Sequence, residues 1–227
     1  MNGSVEVVRL WVYLGVNAPM PERLVSGGVA MIPLLLFSIV ALAFALERSW
    51  FWSRLGGQRR LVDQVLDVYH EQPQAAIAKL KQHQHLPVAR VFLAALTAQN
   101  PDPEEFKLAL ENAAQAELPL LKRFQTFFET VTGVAPLLGL LGTILGLIRA
   151  LSALQLGQSG IPSDVTLGIG EALISTAFGL VVAIVTLLFA NLFRGLYRRQ
   201  WSFLLSSGGQ IELLYRRQHR IARNPIE

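Results

Sequence analysis

The chain has 227 residues, of which 52% are hydrophobic and only 16% charged, and its mean hydropathy is +0.41. This composition does not suit a soluble domain, and long charge-free runs alternate with segments dense in charged residues, which indicates that lipid is part of the solvent. The net charge of +4 comes from the ends of the apolar runs and from the tail, which favours an origin in membrane topology over nucleic-acid binding. The lack of cysteine excludes disulfides, thiolate metal sites and thiol nucleophiles.

Residues 1–23 form a segment that precedes the first apolar run. Trp11 and Tyr13 lie here among apolar residues, so the segment is able to lie flat at the outer membrane interface. A disordered or strand-like segment fits the same pattern. Pro19 and Pro21 then break the chain before the apolar run begins.

Residues 24–46 are predicted to be the first transmembrane helix, because about 23 uncharged residues are enough to cross a hydrocarbon core of ~30 Å. A cleaved signal peptide is the competing interpretation, since the sequence Ala43-Phe44-Ala45 has the small-x-small form of a cleavage site. The charges disfavour it. Those before the run cancel, and arginines follow it, which is the opposite of the polarity of a signal peptide.

Residues 47–129 are predicted to be a cytoplasmic helical domain. Its acidic and basic residues are nearly balanced, and prolines mark breaks between helices at Pro73, Pro87 and Pro103. From Glu104 onward the apolar residues have helical spacing that continues towards the second apolar run. The pattern therefore predicts that the second membrane helix, like the third, projects well into the cytoplasm as a long rod.

The second transmembrane helix is predicted at residues 130–148 and the third at residues 165–193, with a short outer loop at residues 149–164 between them. The tail, residues 194–227, is predicted to continue the third helix. Lysine and arginine are abundant in the large loop and the tail, whereas residues 152–164 contain neither. The positive-inside rule then places the amino terminus and the short loop outside, and the large loop and the carboxyl terminus in the cytoplasm.

Glu171 is the single charged residue of the third apolar run. An ionised carboxylate inside hydrocarbon costs ~2.5 kcal/mol or more, so such residues usually face protein or a water-filled path and have a function. The alternative is an acid at the membrane edge, because Asp164 is only about seven residues, or roughly 10 Å of helix rise, away. The sequence does not decide whether a cation lies close to this carboxyl group.

Small and polar residues share one face of the second and of the third predicted helix. At 100° per residue, Glu171 lies on the stripe of the third helix. Small residues let helix backbones approach, so both stripes are predicted to be packing faces towards another helix or another subunit. The residues that carry this packing are Ala135, Gly139, Gly142 and Gly146 in the second helix, and Gly168, Gly179 and Ala183 in the third.

Four hydroxyl groups lie beside these faces, those of Thr132, Thr143, Ser175 and Thr176. A threonine in a membrane helix often only bonds back to a carbonyl of its own helix. Two threonines on a glycine-lined helix, opposite two more hydroxyls on an antiparallel neighbour, also fit a hydroxyl-lined pore wall. Together with Glu171 they are the candidate ion pathway.

Two segments resemble a known family, namely APLLGLLGTILGLI at residues 135–148 and GIGEALISTAFGL at residues 168–180. They are similar to the paired segments of the MotA/TolQ/ExbB proton channels. The resemblance is strong over residues 130–199 and looser over the rest of the chain. Three spans favour ExbB or TolQ over MotA, which has four, and the chain looks most like ExbB.

The resemblance implies an all-α integral membrane protein that forms a homopentamer around a dimer of a single-span partner of the ExbD or TolR type, whose Asp carries protons. It also implies that Thr143, Thr176 and Glu171 occupy the positions of the family's pore threonines and intramembrane acid. Ion flow would turn the partner dimer and so drive a TonB-like or TolA-like protein that acts on the outer membrane.

The expected function is therefore a non-enzymatic ion channel and motor subunit of the bacterial inner membrane. A Tol-type envelope motor, a gliding motor and a non-conducting scaffold for a partner protein remain open, as does the choice between protons and sodium. An intramembrane hydrolase is disfavoured because the spans contain no His, Lys, Cys or Asp. No cofactor, metal or nucleic acid is expected, and the basic tail is expected to contact membrane lipids.

Overall fold

The computed structural model describes residues 28–98, 101–155 and 162–223, and every regular element in these ranges is an α-helix. The predicted segment before the first span, residues 1–23, therefore lies outside the described residues, as do the first four residues of that predicted span. The helices are α1 (Met31–Arg54), α2 (Gln58–Glu71), α3 (Pro73–Gln82), α4 (Pro87–Leu96), α5 (Pro103–Ala116), α6 (Leu118–Leu121), α7 (Gln125–Gln155) and α8 (Pro162–Arg223). The predicted all-α class is confirmed.

Three helices, α1, α7 and α8, contain stretches long and apolar enough to cross a membrane, which confirms the number of spans predicted from the sequence. Large apolar side chains are exposed on all three, including Ile32, Leu137 and Ile184. Such residues would be unfavourable in water. In a bilayer they are the expected lipid-facing or subunit-facing surface.

The chain divides into two compact units. The first contains residues 28–45 together with the described part of residues 126–190, which are the apolar portions of the three long helices. Its core is formed by side chains from all three, among them Leu34 of α1, Val131 of α7 and Val182 of α8. Phe44 and Phe127 add an edge-to-face contact with ring centroids 4.8 Å apart.

The second unit contains residues 46–125 and 191–223, apart from positions 99 and 100. Helices α3, α4 and α5 each begin with a proline, as the sequence predicts, because proline fits the first turn of a helix and ends the preceding one. Asp102 and Glu105 form a reciprocal capping box at the start of α5. The apolar faces of α2 to α5 pack on the carboxyl-terminal part of α8 around Phe92, Phe106 and Ile211.

The helical spacing that begins at Glu104 is predicted to run into the second membrane helix, but the structure breaks the helix in between. The chain leaves helical geometry between α5 and α7, with Pro119 inside the four-residue helix α6 and Phe124 in a left-handed conformation at φ 64°. The buried guanidinium of Arg48 donates to the carbonyl oxygens of Leu120 and Leu121 at 3.2 and 3.3 Å, and so satisfies acceptors that the break exposes. Apolar spacing continues across this break, which is why the pattern conceals it.

The third membrane helix does continue as predicted. Helix α8 has 62 residues without a break, which corresponds to a length of about 90 Å at 1.5 Å per residue. Beyond its apolar part, Leu204 and Ile211 are buried against the helices of the second unit. The apolar part of α8 is therefore stabilised by packing against α1 and α7, and its carboxyl-terminal part by the core of the second unit.

One ion pair connects several elements of the second unit. Nε and Nη2 of Arg90 donate to the two carboxylate oxygens of Glu117 at 2.7 and 2.6 Å, and Nη1 donates to the carbonyls of Gln84 and His85. The hydrogen bonds to Glu117 raise the pKa of Arg90. We expect Arg90→Ala to lower the free energy of unfolding by about 2 kcal/mol, because Glu117 would stay largely buried without its partner. Thermal unfolding of the purified protein measures this.

Lys107→Ala is the matched control for this prediction. Lys107 pairs with Glu111 one turn away at 3.9 Å, and about half of each side chain is exposed. Exposed pairs of this kind contribute only about 0.3–0.5 kcal/mol. Equal losses of stability in the two variants would show that the Arg90–Glu117 pair does not hold the unit together.

Candidate functional site

Helices α7 and α8 form an antiparallel hairpin whose backbones touch through the predicted small-residue faces. Gly139 lies against Thr176 and Gly179, and Gly142 lies against Ser175 of α8 and Ala30 just before α1. Further along, Gly146 lies against Gly168 and Ala172. Ala135 is buried opposite Gly179, and Ala183 is buried in the core of the same unit.

The glycines in this hairpin are required by distance. A Cβ atom added at Gly179 would lie 2.6 Å from the carbonyl oxygen of Ala135 and 3.0 Å from the Cα of Gly139. One added at Gly146 would lie 2.8 Å from the carbonyl oxygen of Gly168. Real side chains do not approach backbone atoms so closely. The sequence left open whether these faces meet another helix or another subunit, and the structure places them against each other within one chain.

Three of the four predicted hydroxyl groups come together at the centre of this hairpin. The Thr143 and Thr176 hydroxyls bond to each other, and the carbonyl oxygen of Gly139 lies 3.2 and 3.1 Å from them, so that it accepts from whichever hydroxyl does not donate to the other. The Ser175 hydroxyl is fully buried and donates to the carbonyl of Ala172 at 2.9 Å. Thr143 and Thr176 are only partly buried, so the cluster reaches the surface of the hairpin.

Thr132 is not part of this cluster. Its hydroxyl donates to the carbonyl of Phe128 one turn earlier in α7, at 2.8 Å. This is the ordinary back-bonding that threonine makes in membrane helices, and it uses the hydroxyl proton within α7. The structure therefore brings Thr143, Ser175 and Thr176 together and leaves Thr132 apart.

Glu171 lies at the end of the hairpin near the predicted short loop, where it has a cationic partner. Its Oε1 accepts a hydrogen bond from Nη1 of Arg149 at 2.6 Å, and its side chain is 17% exposed whereas that of Arg149 is 52% exposed. Gly28 adopts a left-handed conformation at φ 67°, and a Cβ atom there would overlap Oε1 of Glu171. Three segments thus meet at one carboxylate.

Sequence reasoning missed both neighbours of Glu171. Arg149 is the first residue after the second apolar run, and it was counted with the loop. The antiparallel register set by Gly146 and Gly168 brings it level with Glu171. An acid about seven residues inside one apolar run and a base directly after the preceding run are a signal for such a pair. Gly28 carried no comparable signal, since nothing marks its turn except the residue type.

These features define the class of the protein. Three apolar helices that carry a buried hydroxyl cluster and an ion pair make a multi-span membrane protein with polar groups inside its helical hairpin. The sequence comparison then gives the family: residues 83–204 match the MotA/TolQ/ExbB proton channel family, and the chain belongs to it. It is a proton-channel-type subunit of the inner membrane, in a family of channel and transport-associated subunits rather than enzymes.

Individual relatives include proteins of the ExbB and of the TolQ type. The biopolymer transport protein ExbB-like 3 of Synechocystis sp. is 57% identical over 197 residues, which are 86% of this chain and 94% of that protein. The ExbB protein of Xanthomonas campestris pv. campestris is 31% identical over 74% of both chains. The TolQ protein of Haemophilus influenzae is 38% identical, but over only 37% of this chain and 40% of its own. The likeness to ExbB thus extends over more of the chain.

Proposed function

We propose that this chain is the stationary subunit of an inner-membrane ion-driven motor that acts with a single-span partner of the ExbD or TolR type and energises a TonB-like or TolA-like protein. The observation that supports this most is the hydroxyl cluster of Thr143, Ser175 and Thr176 inside the hairpin of α7 and α8. The cluster lies between one and two helical turns from Glu171 along α8.

The chemistry of the cluster suits a boundary along which protons or ions pass. A hydroxyl group both donates and accepts a hydrogen bond, so Thr143 and Thr176 are able to exchange partners without a change of charge. Because both are partly buried, an acidic side chain on a partner helix would be able to reach them. In the proposed mechanism a carboxyl group of the partner is protonated and released beside these two hydroxyls, which turns the partner.

The assembly and orientation belong to the same proposal. Five copies of the chain would surround the partner helices, with the exposed apolar residues of α1, α7 and α8 facing lipid or neighbouring copies. The arginines after α1 and along the last part of α8 support a cytoplasmic position for the second unit, and hence an outer position for the Glu171 end of the hairpin.

A non-conducting scaffold is the second candidate, and one observation favours it. Each hydroxyl of the cluster has an acceptor within the chain, either a carbonyl oxygen or the other threonine, and Glu171 has Arg149. A polar network in which every group is hydrogen-bonded is able to have a purely structural role, which here is to hold the two helices of the hairpin together. The two functions differ in whether removal of a hydroxyl group affects ion transfer.

Thr176→Val tests the proposed function. Valine keeps the shape of threonine and removes the hydroxyl. In the variant the Thr143 hydroxyl is still able to donate to the carbonyl oxygen of Gly139. We therefore expect a loss of stability below about 1 kcal/mol but a fall in proton uptake of about tenfold, the effect of one hydrogen bond lost where the ion passes. Uptake is measured in proteoliposomes that contain this chain and its single-span partner, and Thr143→Val should behave in the same way.

Thr132→Val is the control. It removes a hydroxyl of the same span that bonds only within its own helix, so it should retain wild-type uptake. If the chain is only a scaffold, Thr143→Val and Thr176→Val should have the same proton uptake as the wild type, whether that uptake is high or absent. Equal impairment of Thr132→Val and Thr176→Val would also contradict the proposed role of the cluster.

A further inference from the structure

A cavity of about 650 Å³ lies in the second unit, where the start of α2 meets α8. Its volume is typical of a site for a small ligand or a headgroup. A neighbouring groove of about 540 Å³ shares Arg59 and Arg199 with it and also contains Asp63. The polar and aromatic residues that line the cavity include Trp52, Gln58, Arg59, Arg60, Arg199 and Gln200.

The charge of this cavity is strongly positive. Arg59, Arg60 and Arg199 are exposed, and within residues 28–98, 101–155 and 162–223 none of them has an acidic group within salt-bridge distance. Asp63 lines the adjoining groove together with Arg59 and Arg199. The guanidinium group forms paired hydrogen bonds with phosphate oxygens, so three arginines around one cavity suit a phosphate group.

The backbone adds donors at the same place. Helix α2 begins at Gln58 after Gly57, which has φ 90° and provides no side-chain cap, and no acidic residue lies in its first turn. The first amide groups of a helix lack intrahelical acceptors and favour anions. Gln58 and Gln200 exchange amide hydrogen bonds at 3.0 and 3.3 Å and so fix the helix start against α8. The buried indole nitrogen of Trp52 also has no acceptor among the described residues.

The cavity lies just past the polar interface of the membrane, and its long arginine side chains are able to reach back to the lipid headgroups. Trp52 follows the end of the first apolar run, Leu46, by six residues, and Arg199 follows the end of the third, Phe193, by six, or about 9 Å of helix rise in both cases. The polar interface extends about 5–8 Å beyond the hydrocarbon on each side. Trp50 is exposed one turn before Arg54, which stacks on its ring, as expected of an interfacial aromatic belt.

From these observations we propose that the cavity bounded by Arg59, Arg60 and Arg199 binds the phosphate of an anionic phospholipid headgroup. The site is distinct from the hydroxyl cluster and does not depend on ion conduction. It also differs from a general attraction of the basic tail to the membrane, because it needs particular arginines around one cavity. A bound lipid would tie the start of α2 to α8.

Native mass spectrometry of the full-length protein tests this with phosphatidylglycerol and phosphatidylcholine of identical acyl chains. The wild type should bind phosphatidylglycerol at least about fivefold more tightly, because the choline group of phosphatidylcholine would place a second positive charge beside the three arginines. Arg199→Gln and Arg59→Gln should each weaken the binding of phosphatidylglycerol about fivefold. Arg198→Gln is the matched control, since Arg198 is equally exposed and adjacent in sequence but does not line the cavity. It should leave binding unchanged.

Three results would overturn the proposal. The first is equal binding of the two lipids by the wild type, which does not depend on the folding of any variant. The second is an equal effect of Arg198→Gln and Arg199→Gln, which would show a diffuse surface charge. The third is displacement of the lipid by millimolar glycerol phosphate, which would show a site for a soluble phosphate ester instead.

Discussion

Gly179→Leu is expected to disrupt the hairpin of α7 and α8 and to remove most of the protein from the membrane. The nearest atoms to a side chain at this position are the Ala135 carbonyl oxygen and the backbone of Gly139, neither of which is able to move without separating the helices. Overpacking of a closely packed interface costs about 1–3 kcal/mol, and contact with backbone places leucine at the upper end. Abundance in membranes and the thermal midpoint of the purified protein measure this loss.

Gly133→Leu is the control that separates helix propensity from helix contact. Gly133 lies on the same α7 helix, and a Cβ atom added there meets nothing within 4 Å. Replacement of a helical glycine otherwise stabilises a helix by up to about 1 kcal/mol. The Gly133 variant should therefore be as stable as the wild type or more so. A Gly179 variant with an unchanged thermal midpoint would show that the close approach of the two helices is not needed for folding.

The glycine contacts lie between two helices of one chain, so variants at these glycines test the folding of the hairpin and not the contact between copies of the chain. The sequence predicts only that these glycines pack against another helix or another subunit, since small residues favour close approach whatever the partner. The structure uses Gly139, Gly142 and Gly179 within one chain. Spacing identifies which face of a helix packs, but the partner of that face depends on the register of the hairpin. In the proposed assembly, the exposed apolar residues are the candidates for contacts between copies of the chain.

The three spans could be predicted because lipid imposes one rule on every residue of a span. A run without charges is required by the hydrocarbon, and it can be recognised without knowledge of tertiary contacts. The proline breaks at Pro73, Pro87 and Pro103 follow from an equally local rule. The break at Phe124 does not, because it depends on Arg48, which is more than 70 positions away in the chain and supplies donors to the exposed carbonyls.

The candidate site could be predicted in part, because polar residues within an apolar run can be recognised without knowledge of tertiary contacts. The hydroxyl groups of Thr143 and Thr176 were found because they stand out in apolar runs, and the resemblance to the channel family added weight to them. That they bond to each other while Thr132 bonds to its own helix is a matter of helix rotation. Pairing of Glu171 with Arg149 required the register of two antiparallel helices, which glycine contacts determine.

Glu171→Gln is expected to abolish proton uptake by the complex with the single-span partner while leaving the fold intact. If this carboxyl group takes part in ion transfer, its amide isostere should lower proton uptake about 100-fold or more, the scale of a lost proton-transfer group. The side chain of Arg149 is already half exposed, so its charge stays solvated after the substitution. Proton uptake in proteoliposomes with the single-span partner, together with protein abundance, measures both expectations.

Arg149→Gln and the double variant distinguish ion transfer from simple charge pairing. Arg149→Gln leaves a carboxylate that is 17% exposed without its cation, so it should lower stability by about 2 kcal/mol. Addition of Glu171→Gln removes that unpaired charge and should restore the thermal midpoint. Function should not return with it, because the titratable group is absent. Normal uptake by the stable double variant would show that Glu171 serves only to balance Arg149, and the hydroxyl cluster would then have to act without an acid from this chain.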